Sequence, residues 1–281
     1  MIVLLHLFQK VFPMSSTPAP LLFISHGAPT FALDGGVLGA QLTALGKQLT
    51  DVKALLIISP HWQTEILEVM TTSQPETIHD FYGFPQPLYE LSYPALGMPS
   101  LALQTIQLLK NKGFEVKENP IRGLDHGAWT PLIHLLPDAN LPVFQVSLPH
   151  SFDPRDAYHL GQAISSLRSD GVLILCSGSM THNLGDLRLG AQGDLPYVQK
   201  FSDWVKQAII EDRLEALFNY RQMAPDGVRA HPTEEHFLPL FIALGSRLKD
   251  DQLQMLDGGV SYGILAMDAL LWHGQSDALK P

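Results

Sequence analysis

Four histidines occupy positions from which an imidazole could act on a ligand. His26 and His61 each follow a short apolar run, in Leu21-Leu22-Phe23-Ile24-Ser25-His26-Gly27 and Leu55-Leu56-Ile57-Ile58-Ser59-Pro60-His61-Trp62. His182 comes soon after a third run, in Leu173-Ile174-Leu175-Cys176-Ser177-Gly178-Ser179-Met180-Thr181-His182, and His236 ends His231-Pro232-Thr233-Glu234-Glu235-His236. Runs of this length and composition read as buried strands of an α/β sheet. Ligands in such sheets bind beyond the carboxyl ends of the strands, so the four rings could meet there. Neutral imidazole is a frequent ligand for zinc and for ferrous iron. The pattern therefore points to a metal enzyme.

Other residues join as candidates. Gly123-Leu124-Asp125-His126-Gly127 sets His126 in a glycine-flanked turn before a helix, where a neutral ring could donate a hydrogen bond or move a proton. His79 and Asp80, in a loop rich in aromatic residues, are candidate substrate contacts, and His150 is a secondary candidate after a strand. His6, His134, His159 and His273 receive no role. The segment 231–236 fails the zinc-peptidase test: its histidines are five apart with Pro232 between them, not four apart on one helical face. It reads instead as the approach to a helix over 233–244, with Glu234 and Glu235 in the first turn. A serine hydrolase is disfavoured because Ser177-Gly178-Ser179-Met180 lacks the second glycine of Gly-x-Ser-x-Gly, and no glycine-rich phosphate loop is present.

Something must position these residues. Apolar runs predict strands over 21–25, 54–59, 66–71, 114–117, 142–148, 172–176 and 263–267. Helical spacing predicts helices over 37–49, 100–112, 127–136, 154–168 and most of 196–220. Between them, 73–98 is a long irregular segment with several prolines, a kind that is more often functional than neutral. The alternation predicts a single three-layer α/β/α domain around a mainly parallel or mixed central sheet, over residues 20–281. Residues 1–19 read as a leader or appendage, with Met14 a second possible start.

Bulk composition narrows the partners. The chain has 281 residues, 46% hydrophobic and 16% charged, which suits an extensive buried sheet. A net charge of −10 without a basic cluster argues against nucleic acid and anionic membranes. The single cysteine, Cys176, excludes a thiolate zinc site within one chain and suggests a reducing, cytoplasmic setting. Any metal would have nitrogen and oxygen ligands.

The segments taken together resemble the class III extradiol ring-cleavage dioxygenases (LigB-like), in their DOPA dioxygenase branch. The resemblance rests on Ser25-His26-Gly27-Ala28-Pro29, Ser59-Pro60-His61-Trp62, and Thr77-Ile78-His79-Asp80-Phe81-Tyr82-Gly83-Phe84-Pro85. It continues through Asp125-His126-Gly127-Ala128-Trp129, Ser177-Gly178-Ser179-Met180-Thr181-His182-Asn183-Leu184, and Pro232-Thr233-Glu234-Glu235-His236-Phe237-Leu238-Pro239-Leu240. It implies a mononuclear divalent metal on His26, His61 and His236, with His182 either a fourth ligand or an acid/base. His182 and His126 are the implied catalytic pair. The wider class uses two histidines and a carboxylate; here His236 stands third, with Glu235 beside it. Fe(II) is the metal implied for turnover, and Zn(II) an ion the branch also binds. The implied reaction cleaves a DOPA-like or caffeate-like catechol with O2 to a muconic semialdehyde, in a monomer or small homo-oligomer. Rival readings are a zinc-dependent hydrolase that uses Glu235 to activate water, and a non-catalytic metal- or ligand-binding relative.

Overall fold

The computed structural model describes residues 17–188 and 193–274. Among these described residues are ten strands: β1 Leu21–Ser25, β2 Ala54–Thr64, β3 Leu67–Met70, β4 Val116–Asn119, β5 Val143–Pro149, β6 Val172–Gly178, β7 Gln252–Leu256, β8 Val260–Ser261, β9 Leu265–Ala266 and β10 Ala269–His273. Eight form one mixed sheet in the order β4-β3-β5-β2-β6-β1-β10-β7, and β8 pairs with β9 separately. The middle strands β5, β2, β6 and β1 run parallel, whereas β10 is antiparallel to both β1 and β7. Every residue of β1, β5 and β6 is buried, which explains the unbroken apolar runs: a strand covered on both faces has no polar side to show. Burying each such Leu, Ile or Phe contributes about 1.5–3 kcal/mol relative to exposure.

The longer helices are α1 Gly36–Gly46, α3 Pro99–Asn111, α4 His126–Leu135, α5 Pro154–Ile164, α7 Pro196–Ile210 and α11 Leu238–Ser246. Between them lie the short α2 Pro87–Glu90, α6 Leu184–Arg188, α8 Leu214–Phe218, α9 Tyr220–Met223 and α10 Gly227–Ala230. Helices α1 and α4 pack as one pair and α5 and α11 as another, and α4 and α11 both lie on the central strands β2 and β6. This is the expected α/β/α sandwich. Among the described residues no helix is long and apolar enough to cross a membrane.

Several expectations need correction. The helix expected over 233–244 begins only at Leu238, and Thr233 to Phe237 form bends and turns. Pro239 sits in the first turn of α11, where its missing N–H is harmless; a helix begun at Thr233 would have put that proline inside and lost a hydrogen bond. Glu234 and Glu235 are therefore outside the helix. Strand β2 runs past Ser59 to Thr64, with a register shift against β5 between Ile58 and Gln63, so His61 lies in a bulged strand end. The strand expected over 263–267 shrinks to β9, while β7 and β10, unforeseen, extend the main sheet. Of the appendage, residues 1–16 lie outside the described residues. Ala19 is buried and exchanges backbone and side-chain hydrogen bonds with Arg168.

Candidate metal centre and cavity

The parallel strands deliver the histidines to one end of the sheet. His26 directly follows β1, and Gly27 then turns the chain at φ +66°. A Cβ at Gly27 would come 2.7 Å from Met267 Cε, so glycine serves both the turn and the close packing. His61 occupies the bulged end of β2, and His126 opens α4 behind the N-cap Asp125, which accepts from Ala128 N–H at 3.2 Å. His182 lies beyond β6, tied by its N–H to Ala230 O at 2.9 Å, and His236 lies in the turn before α11.

The rings meet at one point. His26 lies with its ring centroid 5.1 Å from His61, 5.6 Å from His126 and 5.5 Å from His236. His182 stacks on His236 at 3.5 Å. The Nε2 atoms of His26 and His61 are 3.2 Å apart. Two nitrogens on one tetrahedral ion at ~2.0–2.1 Å stand about 3.3 Å from each other, so this separation suits a shared cation. One ligand atom from each of His26, His61 and His236 falls within 4.8 Å of the others, so these three could hold one ion. His236 Nε2 is buried and has no hydrogen-bond partner, a costly state for a nitrogen that a metal would relieve.

What lies behind the rings fixes which nitrogen faces inward. Ser177 Oγ donates to Gly127 O, so it accepts from His26 Nδ1 at 2.9 Å, and His26 keeps its lone pair on Nε2. His236 Nδ1 donates to Glu235 Oε1 at 2.9 Å, with the same result. Asp80 Oδ2 is 3.4 Å from His61 Nδ1, and Asp80 Oδ1 is 3.0 Å from His126 Nδ1, off the ideal N–H···O line. Burial raises the Asp80 carboxyl, but the bonds and charge of His126 and His61 outweigh it and hold the group at about 2.

Burial also keeps the rings neutral. It is the main force lowering His26 and His236 well below the usual imidazole value, and neighbouring rings add to it. Burial and His126 bring His61 down to about 4 against the upward pull of Asp125 and Asp80. His182 falls to about 4 by burial, with Glu235 opposing. Neutral rings with free lone pairs are what a divalent cation needs.

The histidines floor a cavity of about 760 Å³ whose walls include Phe81, Phe84, Pro85, Leu184 and Leu265. Tyr262 Oη and Thr30 Oγ1, both on its lining, hydrogen-bond at 2.6 Å. The walls are apolar enough to hold an aromatic ring, and the polar floor could take its oxygens.

Some candidates stand elsewhere. His79 bonds Leu91 O at 3.0 Å and packs in a cluster with Phe81, Tyr89 and Trp129, off the cavity lining. Asp80 is behind the rings, not on the cavity wall. His150 is exposed, with its N–H on Thr64 O. His231 is fully buried, donating from Nε2 to Met180 O and stacking on Phe237. His6 is outside the described residues.

Other supports escaped the sequence reading. The fully buried Asp125 accepts from Ser59 Oγ at 2.6 Å, Arg122 at 2.8 Å and Gln145 at 3.1 Å, besides capping α4. This joins the strand end that carries His61 to the helix that carries His126. No sequence signal disclosed the cap made by Asp125 or its three tertiary partners. Nor did any sequence signal pair Ser177 with His26, 151 residues away.

Comparison with known proteins agrees with this geometry. Residues 21–265 match the family described as the catalytic LigB subunit of aromatic ring-opening dioxygenase. A protein from Beta vulgaris named 4,5-DOPA dioxygenase extradiol is 38% identical over 250 residues, covering 86% of this chain and 93% of its own length. One of the same name from Escherichia coli (strain K12) is 34% identical over 260 residues, covering 90% and 94%. The crystal structure of an uncharacterised Escherichia coli K12 protein superposes with a TM-score of 0.75 at 27% identity, covering 90% of this chain and 99% of that one.

Proposed function

This chain belongs to the LigB family of aromatic ring-opening dioxygenases, and from that premise we propose that its cavity binds a catechol and O2 at one divalent metal and opens the ring beside the two hydroxyls. The product would be a muconic semialdehyde. The observation that carries the reading is the three-histidine cluster with its paired Nε2 atoms and the orphaned Nε2 of His236, at the floor of an apolar cavity. His26, His61 and His236 are the proposed ligands. When bound, Fe(II) would supply a higher acidity of the catechol hydroxyls and electron exchange with oxygen, which zinc lacks.

The chain's own groups supply the rest. Phe81, Phe84 and Leu265 enclose the aromatic ring and displace water from it. His182, neutral down to about pH 4 and next to His236, is placed to take a hydroxyl proton and return it. His126, with Nδ1 against Asp80, offers Nε2 as a second acceptor or as a hydrogen-bond partner for a substrate oxygen. DOPA, which the named relatives act on, and caffeate are the substrates to try first. We assign the catalytic domain to residues 20–281, as a monomer or small homo-oligomer. The buried free Cys176 fits a cytoplasmic setting.

The relatives favour ring cleavage over the hydrolase, although Glu235 lies within metal-holding reach of His182 and His236. Glu235 Oε1 already receives Thr233 Oγ1 and His236 Nδ1, so that oxygen is engaged and not free to activate water. The deciding experiment is oxygen uptake by metal-stripped protein reloaded anaerobically with Fe(II) or Zn(II) and given a catechol panel. The expected result is uptake with a new yellow chromophore in the iron sample alone. No uptake with any catechol while iron stays bound would refute the reading.

A further inference from the structure

We propose that Asp80 is a positioning residue that holds the proton on Nδ1 of both His61 and His126, so that both Nε2 lone pairs face the cavity. The inference rests on the metal-site reading for His61 but not for His126.

Asp80 lies in the irregular segment between β3 and α2, and its carboxylate reaches across to two different elements. Oδ2 is 3.4 Å from Nδ1 of His61, on β2. Oδ1 is 3.0 Å from Nδ1 of His126 and accepts that residue's backbone N–H at 2.9 Å, at the start of α4. The two rings are themselves close, with centroids 3.9 Å apart.

An ionised carboxylate only accepts hydrogen bonds. A lone pair on either Nδ1 would face that negative charge and be repelled, so both Nδ1 atoms carry hydrogen. The backbone N–H of His126, at the positive end of a helix, anchors the carboxylate itself. One side chain thereby fixes the tautomer of a proposed metal ligand and that of a proposed proton acceptor. An amide could not do both: Asn has one acceptor oxygen, so its NH2 must face one of the two rings and meet an N–H.

The test is ring ¹⁵N NMR, with resonances assigned by residue, on the native chain, Asp80→Asn and Asp80→Glu, each metal-free and zinc-loaded. Native protein should show His126 as the Nδ1–H form with or without zinc, and His61 bound to zinc through Nε2. Asp80→Asn should turn at least one of these rings to the other form and weaken zinc binding, measured by chelator competition, by ~10–100-fold. Asp80→Glu, still acceptor-only, should restore the native ring forms. A native His126 in the Nε2–H form would overturn the proposal, and so would Asp80→Asn with unchanged rings and zinc affinity. If Asp80→Asn does not fold, the native spectrum decides alone. If the chain takes up no zinc, the metal reading fails, while the metal-free His126 signal still judges Asp80.

Discussion

The ring of His182 lies flat against that of His236, with centroids 3.5 Å apart and planes within 7° of parallel. Two cations could not share that space, and burial keeps both rings neutral at pH 7. The stack gives each ring a separate test. His182→Phe preserves a flat partner for His236, so bound metal should stay near one per chain while ring cleavage falls by ~10²–10⁴-fold, the usual worth of an acid/base group. His236→Phe should lose the metal itself. Metal analysis beside oxygen uptake separates the two, and loss of metal from His182→Phe would make His182 a ligand.

Gly127 is in the first turn of α4, where alanine would ordinarily favour a helix. Here a Cβ would stand 2.4 Å from Ser59 Oγ and 2.8 Å from His61 Cδ2. Gly127→Ala must therefore push against the side chains of Ser59 and His61. We expect a stability loss of ~1–3 kcal/mol in urea titrations and at least a ~10-fold loss of activity. Equal or higher stability would show that the contact relaxes freely.

Arg168 is fully buried and bonds Asp251 through both guanidinium ends, at 2.6 and 2.8 Å, as well as the carbonyls of Ala19 and Ser246. It precedes the amino end of β6, whereas the histidine cavity lies beyond the carboxyl end. Arg168→Ala should cost ~3–5 kcal/mol, because it leaves a nearly buried carboxylate unpaired. The kcat of the folded fraction should stay close to native. A large change in kcat without loss of stability would contradict this separation.

In the metal-free protein, stability should fall as the medium is acidified below neutrality. His61 and His182 stay unprotonated in the fold until about pH 4, and His231, held neutral by burial, until about pH 3. Unfolded, each takes a proton near the ordinary imidazole value of 6.5, so between these limits the unfolded chain binds more protons and gains. Asp80 acts the same way lower down: its contribution is complete above 3.8 and drains away as pH falls toward about 2. Calorimetry should find Tm decreasing steadily from pH 7 to 4, and a Tm that holds level or rises would contradict these assignments.

Much of the frame was legible because strands buried on both faces leave continuous apolar runs, as in β1, β5 and β6. Those runs placed His26, His61 and His182 beyond strand ends, but did not reveal the bulge that carries His61. The half-exposed edge strand β7 left only a weak signal, and β10 was passed over although fully buried. The start of α11 was misjudged because Pro232 resembled a helix entry when Pro239 was the one. Asp80 was singled out as a candidate substrate contact, and its approach to two histidine rings was not legible because those rings come from other elements.

The sequence by itself determined which side chains were available, and the alternation of elements determined that they would gather at one end of a sheet. Only the tertiary structure decided which nitrogen of His26, His61, His126 and His236 faces inward. Ser177, Glu235 and Asp80 make that choice, and only Glu235 is a chain neighbour of its ring. A tautomer is set by whatever hydrogen-bond acceptor lies behind the ring, and for residues as far apart as 26 and 177 that neighbour exists only once β1 and β6 have paired.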